Sequence, residues 1–222
     1  MTSSPFLVGL PADLSDQFES AILDCAKNIP GGPVQTNTYA EPYPDPAEFN
    51  LLIWQGNLAQ YQALDTDGFT SKIIRTEEIV VIISLENNLT SLSLTDLRSI
   101  FVGKIQDWSV IPQSVLSGQT EFRVYYDSHP LRIIFEDVLF GELTIATSAL
   151  ITPSQAEVNA ITEENVNSLS YIGKSQSSDN TRILPVSGIQ ETPTLSTFVI
   201  FQDTEESFIS PVLDCLLKNN NH

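Results

Sequence analysis

Residues 76–111, TEEIVVIISLENNLTSLSLTDLRSIFVGKIQDWSVI, constrain this chain more than any other stretch. The apolar β-formers Ile79 to Ile83 stand in an unbroken row, which predicts a strand covered on both faces, because a half-exposed strand would alternate. Asn87-Asn88 supplies a turn. Ser93 is then placed to cap a helix whose first turn carries Asp96, a charge favoured at a helix N-terminus. Leu94, Leu97, Ile100 and Phe101 share one face of that helix, and Gly103 stands where a left-handed C-terminal residue is wanted. Trp108 follows in a segment that must fold back over the helix. A doubly covered strand feeding a one-faced helix belongs to an α/β sheet with helices packed on it.

The rest of the chain fits that class. Phe6–Leu10 reads as a first strand, and Asp13 or Ser15 can cap a helix with the apolar stripe Leu14, Phe18, Ala21, Ile22 and Cys25. Pro30-Gly-Gly-Pro33 stops it, Val34–Tyr39 is a second strand, and Glu41–Glu48, rich in proline, is a loop. Phe49–Trp54 reads as a buried strand, Asn57–Leu64 as a short helix, and Gly68 as a turn. Further on, Phe122–Tyr126 alternates like a strand, and a helix over Leu131–Gly141 turns Ile134, Phe135, Val138 and Leu139 inward. Thr152-Pro-Ser-Gln155 has the residues of a helix start and leads into Ala156–Ile161. Ser170–Gly173, Ile183–Val186 and Phe198–Phe201 read as strands. A final helix carries Phe208, Val212, Leu213, Leu216 and Leu217, and Asn219–His222 reads as a frayed end.

The residues Leu94, Leu97, Ile100, Phe101, Gly103, Lys104 and Trp108, placed after the apolar strand and Asn, carry a resemblance. This pattern resembles the entry to the second lobe in type 2 periplasmic binding proteins, and most of all the phosphate-binding, ABC-transporter branch. The resemblance covers most of the chain as an order of elements, and Ile79–Glu136 residue by residue. It implies a two-lobed α/β fold with mixed sheets flanked by helices and two crossing strands at a hinge. Residues 1–80 with 178–222 would form lobe I, and residues 81–177 lobe II. It also implies a small solute bound in an interlobe cleft, a membrane permease as partner, no cofactor, no catalysis, a monomer, and a place in the periplasm or at the cell surface, with lipid anchoring open. The opening Met1–Pro5 shows neither the basic nor the apolar region of an export signal. Type 2 topology would bring the C-terminal segment beside the first helix. Cys25 and Cys215 then either form a disulfide closing a very long loop or remain two separately buried thiols.

The ligand-facing motifs of phosphate-binding relatives are altered here. In those relatives a Ser-Gly-Thr-Arg run opens a helix whose amides and dipole favour an anion. Arg132, Phe135 and Glu136 keep that frame, but His129-Pro130-Leu131 replaces Ser-Gly-Thr, with loss of two hydroxyls and one N–H. Gly9-Leu-Pro-Ala12 lacks the hydroxyls of the family's first turn, Asn50 replaces an Asp, and Glu41–Pro46 replaces a Gly-Ser-Gly loop. A phosphate-like oxyanion is therefore not favoured. The remaining candidate contacts are Arg132, His129, Ser128, Gly9, Leu10 and Trp54, with Tyr39 and Tyr43 as a further aromatic wall. Each has a structural alternative. Arg132 can pair with Glu136 one turn on, Asp127-Ser128-His129 can be a polar loop capping the helix, and Trp54 can be core. A sensor or protein-interaction module of the cell envelope, with a degenerate pocket, is the competing functional reading.

Charge and motif content narrow the classes further. The chain has 28 acidic and 10 basic residues, a net charge of −18. That disfavours nucleic acid and anionic membrane surfaces, which reward clustered Lys and Arg. Asp65-Thr-Asp67-Gly68 has only part of a calcium-loop pattern, and two histidines cannot build a multi-histidine metal site. No nucleophile elbow, phosphate loop or CxxC occurs, so the residues point away from an enzyme.

Overall fold

The computed structural model describes residues 5–27, 33–39, 44–57 and 67–219. Tyr43 and, apart from Asn57, the helix expected over Asn57–Leu64 fall outside these residues, as do most of the Pro30–Pro33 stop, the first three residues of the Glu41–Glu48 loop and the chain end, while Pro46–Glu48 of that loop forms a 3-10 turn capped by Asp45. The chain forms two compact units, residues 1–76 with 196–222 and residues 77–195.

In the first unit, β1 (Phe6–Pro11) lies between β2 (Val34–Tyr39) and β3 (Leu51–Gly56), parallel to both. The late strand β11 (Thr194–Gln202) is antiparallel to β3 and neighbours the first half of β4 (Phe69–Ser84). Every residue of β3 is buried, because both faces are covered. Leu51 and Ile53 join Val8, Leu10, Val199 and Phe201 under two helices, α1 (Ser15–Ala26) and α5 (Glu206–Asn219). Leu52 and Trp54 face the other way, with Phe198 and Ile200. The cap position of α1 falls on Leu14 rather than on Asp13 or Ser15: a 3-10 turn over Ala12–Leu14 precedes the helix, and the Ser15 hydroxyl bonds back to the Ala12 carbonyl. Cys25 and Cys215 are joined by a disulfide between α1 and α5.

In the second unit, the second half of β4 continues as Ile79–Ile83 and pairs with β8 (Ser168–Gly173), antiparallel. β6 (Glu121–Val124) and β7 (Leu150–Ile151) follow in parallel to β8, and β9 (Thr181–Ile183) pairs with the end of β4. A small parallel pair joins β5 (Leu92–Ser93) to β10 (Val186–Ser187). Three helices complete it: α2 (Leu94–Phe101), α3 (Pro130–Leu139) and α4 (Gln155–Glu164). Ser93 caps α2 by accepting from the Asp96 N–H at 3.0 Å, and Gly103 takes a φ of 76°. Phe101 sits fully buried among Phe122, Phe135, Phe140 and Tyr171. Trp108 is also fully buried, its indole N–H donating to the Asn167 carbonyl. Two expectations shift. Ser154, not Thr152, caps α4, and residues 178–195 lie in this unit rather than with the first, because β9 and β10 find their partners in β4 and β5.

Candidate functional site

The start of α3 holds three of the sequence-predicted residues, and their bonds are internal. β6 ends at Val124, and Tyr125 to Ser128 turn the chain into α3. Pro130 at the first helical position brings a fixed φ but no N–H. His129 stands before it as the cap. Its Nδ1 accepts from the Leu131 N–H at 3.2 Å, and its carbonyl accepts from the Ile133 N–H at 3.1 Å. The His129 ring is buried, stacked on Tyr125 at 4.2 Å and edge-on to Tyr126. A helix start favours an anion only through amides left unpaired. Here Pro130 has removed one, and the His129 ring binds a second, the Leu131 N–H.

Arg132 is engaged as well. Its guanidinium contacts Asp127 at 2.5 Å and Glu136 at 2.5 Å, and donates to the Tyr125 carbonyl at 2.9 Å. Two carboxylates therefore balance its charge already, which is the ion-pair alternative rather than a waiting anion contact. Behind it Tyr171 lies buried with its ring stacked on Phe135 at 3.8 Å. Burial, and then the charge of Glu136, hold its phenol well above the ordinary range. Ser128 is half-buried in the preceding turn.

The other predicted contacts belong to the first unit and are built into its packing. Leu10 and Trp54 are almost wholly buried, Leu10 under α1 and α5 and Trp54 against Phe198 at 5.4 Å, so neither side chain is open to a solute. Gly9 lies between two strands where an added Cβ would come within 2.9 Å of Leu52 and Phe49. Tyr39 gives its hydroxyl to the Ile53 carbonyl at 2.5 Å.

A pocket of about 740 Å³ in the second unit was not anticipated. Ser93, Thr95 and Arg98 of the α2 region line it together with Leu139 of α3 and the 187–191 segment, including Gln190 and Glu191. Arg98 donates through Nε to the Leu139 carbonyl at 2.5 Å, which closes the C-terminal end of α3 and fixes the guanidinium at the pocket wall. The signal in sequence is slight: Arg98 is a polar residue beside the apolar face of α2, and the facing wall comes from some 90 residues later. Among the described residues no cluster of three or more His, Cys, Asp or Glu could hold a metal, and no helix is long and apolar enough to cross a membrane.

No protein-family model and no curated protein matches the sequence. Solved structures do. An ABC-type phosphate transport receptor from Vibrio cholerae matches at TM-score 0.70 and 12% identity, over 97% of this chain and 98% of that one. A putative phosphate ABC transporter substrate-binding protein with bound phosphate, from Clostridium perfringens, matches at TM-score 0.72 and 15% identity, over 94% and 93%. The reduced OxyR regulatory domain from Pseudomonas aeruginosa matches at TM-score 0.63 and 11% identity, over 97% and 98%. At these identities the likeness is one of architecture, and on it the chain has the type 2 periplasmic-binding-protein fold.

Proposed function

We propose that this chain is an extracytoplasmic solute-binding module of an ABC-type uptake system. It would act as a monomer, bind a small solute without catalysis, and deliver it to a membrane permease. The observation that carries this reading is the match along nearly the whole length of both chains to phosphate-transport binding proteins. The Cys25–Cys215 disulfide supports a place in an oxidising compartment. The solute proposed is not a phosphate-like oxyanion. Pro130 supplies no donor, His129 holds the Leu131 amide, and Arg132 is already neutralised by Asp127 and Glu136.

A second reading, a sensor or protein-interaction module that does not transport, is favoured by the equally full-length match to a regulatory domain. A thermal-shift panel of phosphate, sulfate, amino acids, organic acids and sugars separates the two. A ligand at ~100 times its Kd stabilises the folded state by about 2.7 kcal/mol. A shift with an organic solute upholds solute binding, a shift with phosphate overturns the exclusion of oxyanions, and no shift with any compound favours the second reading.

A further inference from the structure

The 740 Å³ pocket of the second unit contains opposite charges that do not meet. Arg98 is anchored only through Nε, and its terminal nitrogens have no carboxylate partner among the described residues. Glu191, on the 187–191 segment, is exposed and likewise forms no ion pair among those residues. In the same unit Arg123, Arg132 and Lys174 all approach a carboxylate. Arg182 has no carboxylate either, but it donates to the Asn87 and Leu89 carbonyls, whereas the terminal nitrogens of Arg98 meet neither a carboxylate nor a carbonyl among the described residues, even though an acid lines the same pocket. Two separated, opposite charges repel a simple anion or a simple cation from one side each. They attract a molecule that carries both signs.

We propose that this pocket binds a small α-amino acid, with its carboxylate on Arg98 and its ammonium on Glu191. A planar guanidinium suits a carboxylate because it can donate two parallel hydrogen bonds. The Thr95 hydroxyl and the Gln190 amide are further polar groups of the wall. The Ser93 hydroxyl is not available, since it donates to Asp96 at 2.7 Å and accepts from that residue's N–H. The volume is within the range of small-molecule sites, roughly 300–1,000 Å³. The site lies wholly within the second unit, and the proposal does not depend on the transport reading.

The test is a titration of the full chain with L-alanine and with L-glutamine, followed by NMR at the backbone amides of Thr95, Gly188 and Gln190. Acetate and methylammonium serve as half-ligands. Saturable shifts at these amides with an amino acid, and weaker ones with either half-ligand, are expected. Glu191→Gln and Arg98→Lys should each raise the Kd about tenfold or more, the scale of one charge-assisted hydrogen bond. Arg98→Lys also removes the bond to Leu139, so if it fails to fold, the exposed Glu191→Gln carries the test alone. No shift at these three amides overturns the proposal. So does acetate binding as tightly as the amino acids, or binding that neither substitution weakens, which would place the amino acid elsewhere on the chain.

Discussion

Tyr125 and Tyr171 lie 5.5 Å apart in the second unit, both fully buried, and their hydroxyls have different fates. Tyr125 donates to the Tyr171 carbonyl at 3.1 Å, whereas the Tyr171 hydroxyl has no hydrogen-bond partner among the described residues. A buried unpaired polar group costs the folded state its lost hydration. Tyr171→Phe is therefore expected to match or slightly exceed wild-type stability in urea unfolding, while Tyr125→Phe loses about 1 kcal/mol. The raised value of the Tyr171 phenol gives a second readout. Its ionisation is suppressed when folded, so its contribution is full below the unfolded value of about 10 and is lost as pH rises above it. Tyr171→Phe should flatten that alkaline decline. Asp107 has the opposite sign. Its carboxylate accepts from the Ser109 hydroxyl and N–H and from the Gly118 N–H, and the Ser109 bonds above all lower its pKa. That contribution is present above the unfolded value of about 3.9 and lost as pH falls through the lower folded one. Protection of the Gly118 amide, taken against its intrinsic exchange rate, should fall in acid below about pH 4, and the acid-dependent part should vanish in Asp107→Asn. An unchanged exchange profile in that variant would show that the carboxylate does not hold the loop.

At the scale of elements, α3 shows a helix start capped by its own histidine. His129→Ala removes both the acceptor for the Leu131 N–H and the ring stacked on Tyr125. The expected loss is about 2 kcal/mol, summing a cap and an aromatic pair. His129→Asn keeps a capping oxygen and should recover about half of it, as read by chemical denaturation; equal losses in the two variants would mean that the cap contributes nothing. The α2 unit was legible from its own residues, because Ser93, the Leu97–Phe101 face and Gly103 act within one helix. The run Ile79–Ile83 likewise announced a strand covered on both faces, and Ile79, Val81, Ile82 and Ile83 are buried, with Val80 half-buried. What depended on distant partners was not legible. The two-residue strand β10 exists only because β5 lies beside it, so its unit could not be read from Val186 and Ser187. The balance of Arg132 was half visible: Glu136 one turn on follows helical spacing, but the contact with Asp127 needs the bend of the preceding turn. The Arg98 pocket was invisible for the same reason, since its other wall is supplied by residues 187–191.

For the whole molecule, the disulfide and the two tryptophans allow the units to be followed separately. Cys25 and Cys215 are 190 residues apart in sequence and tie α1 to α5, so their bond constrains almost the entire unfolded chain. Chain entropy alone puts the stabilisation from so long a loop at about 5 kcal/mol, at the upper end of what disulfides supply. Both helices belong to the first unit, where Ile22, Val212, Leu213 and Leu216 share one core. The second unit has a separate core and no cysteine. Trp54 reports on the first unit and Trp108 on the second, each buried there. In Trp→Phe variants that keep one tryptophan each, reduction should move the Trp54 transition in urea to lower concentration and leave the Trp108 transition nearer its original midpoint. Cys25→Ser with Cys215→Ser should reproduce the reduced behaviour and no longer respond to reductant. If both tryptophans shift together by the same amount, the two units unfold as one cooperative body, and the disulfide supports the second core through the first.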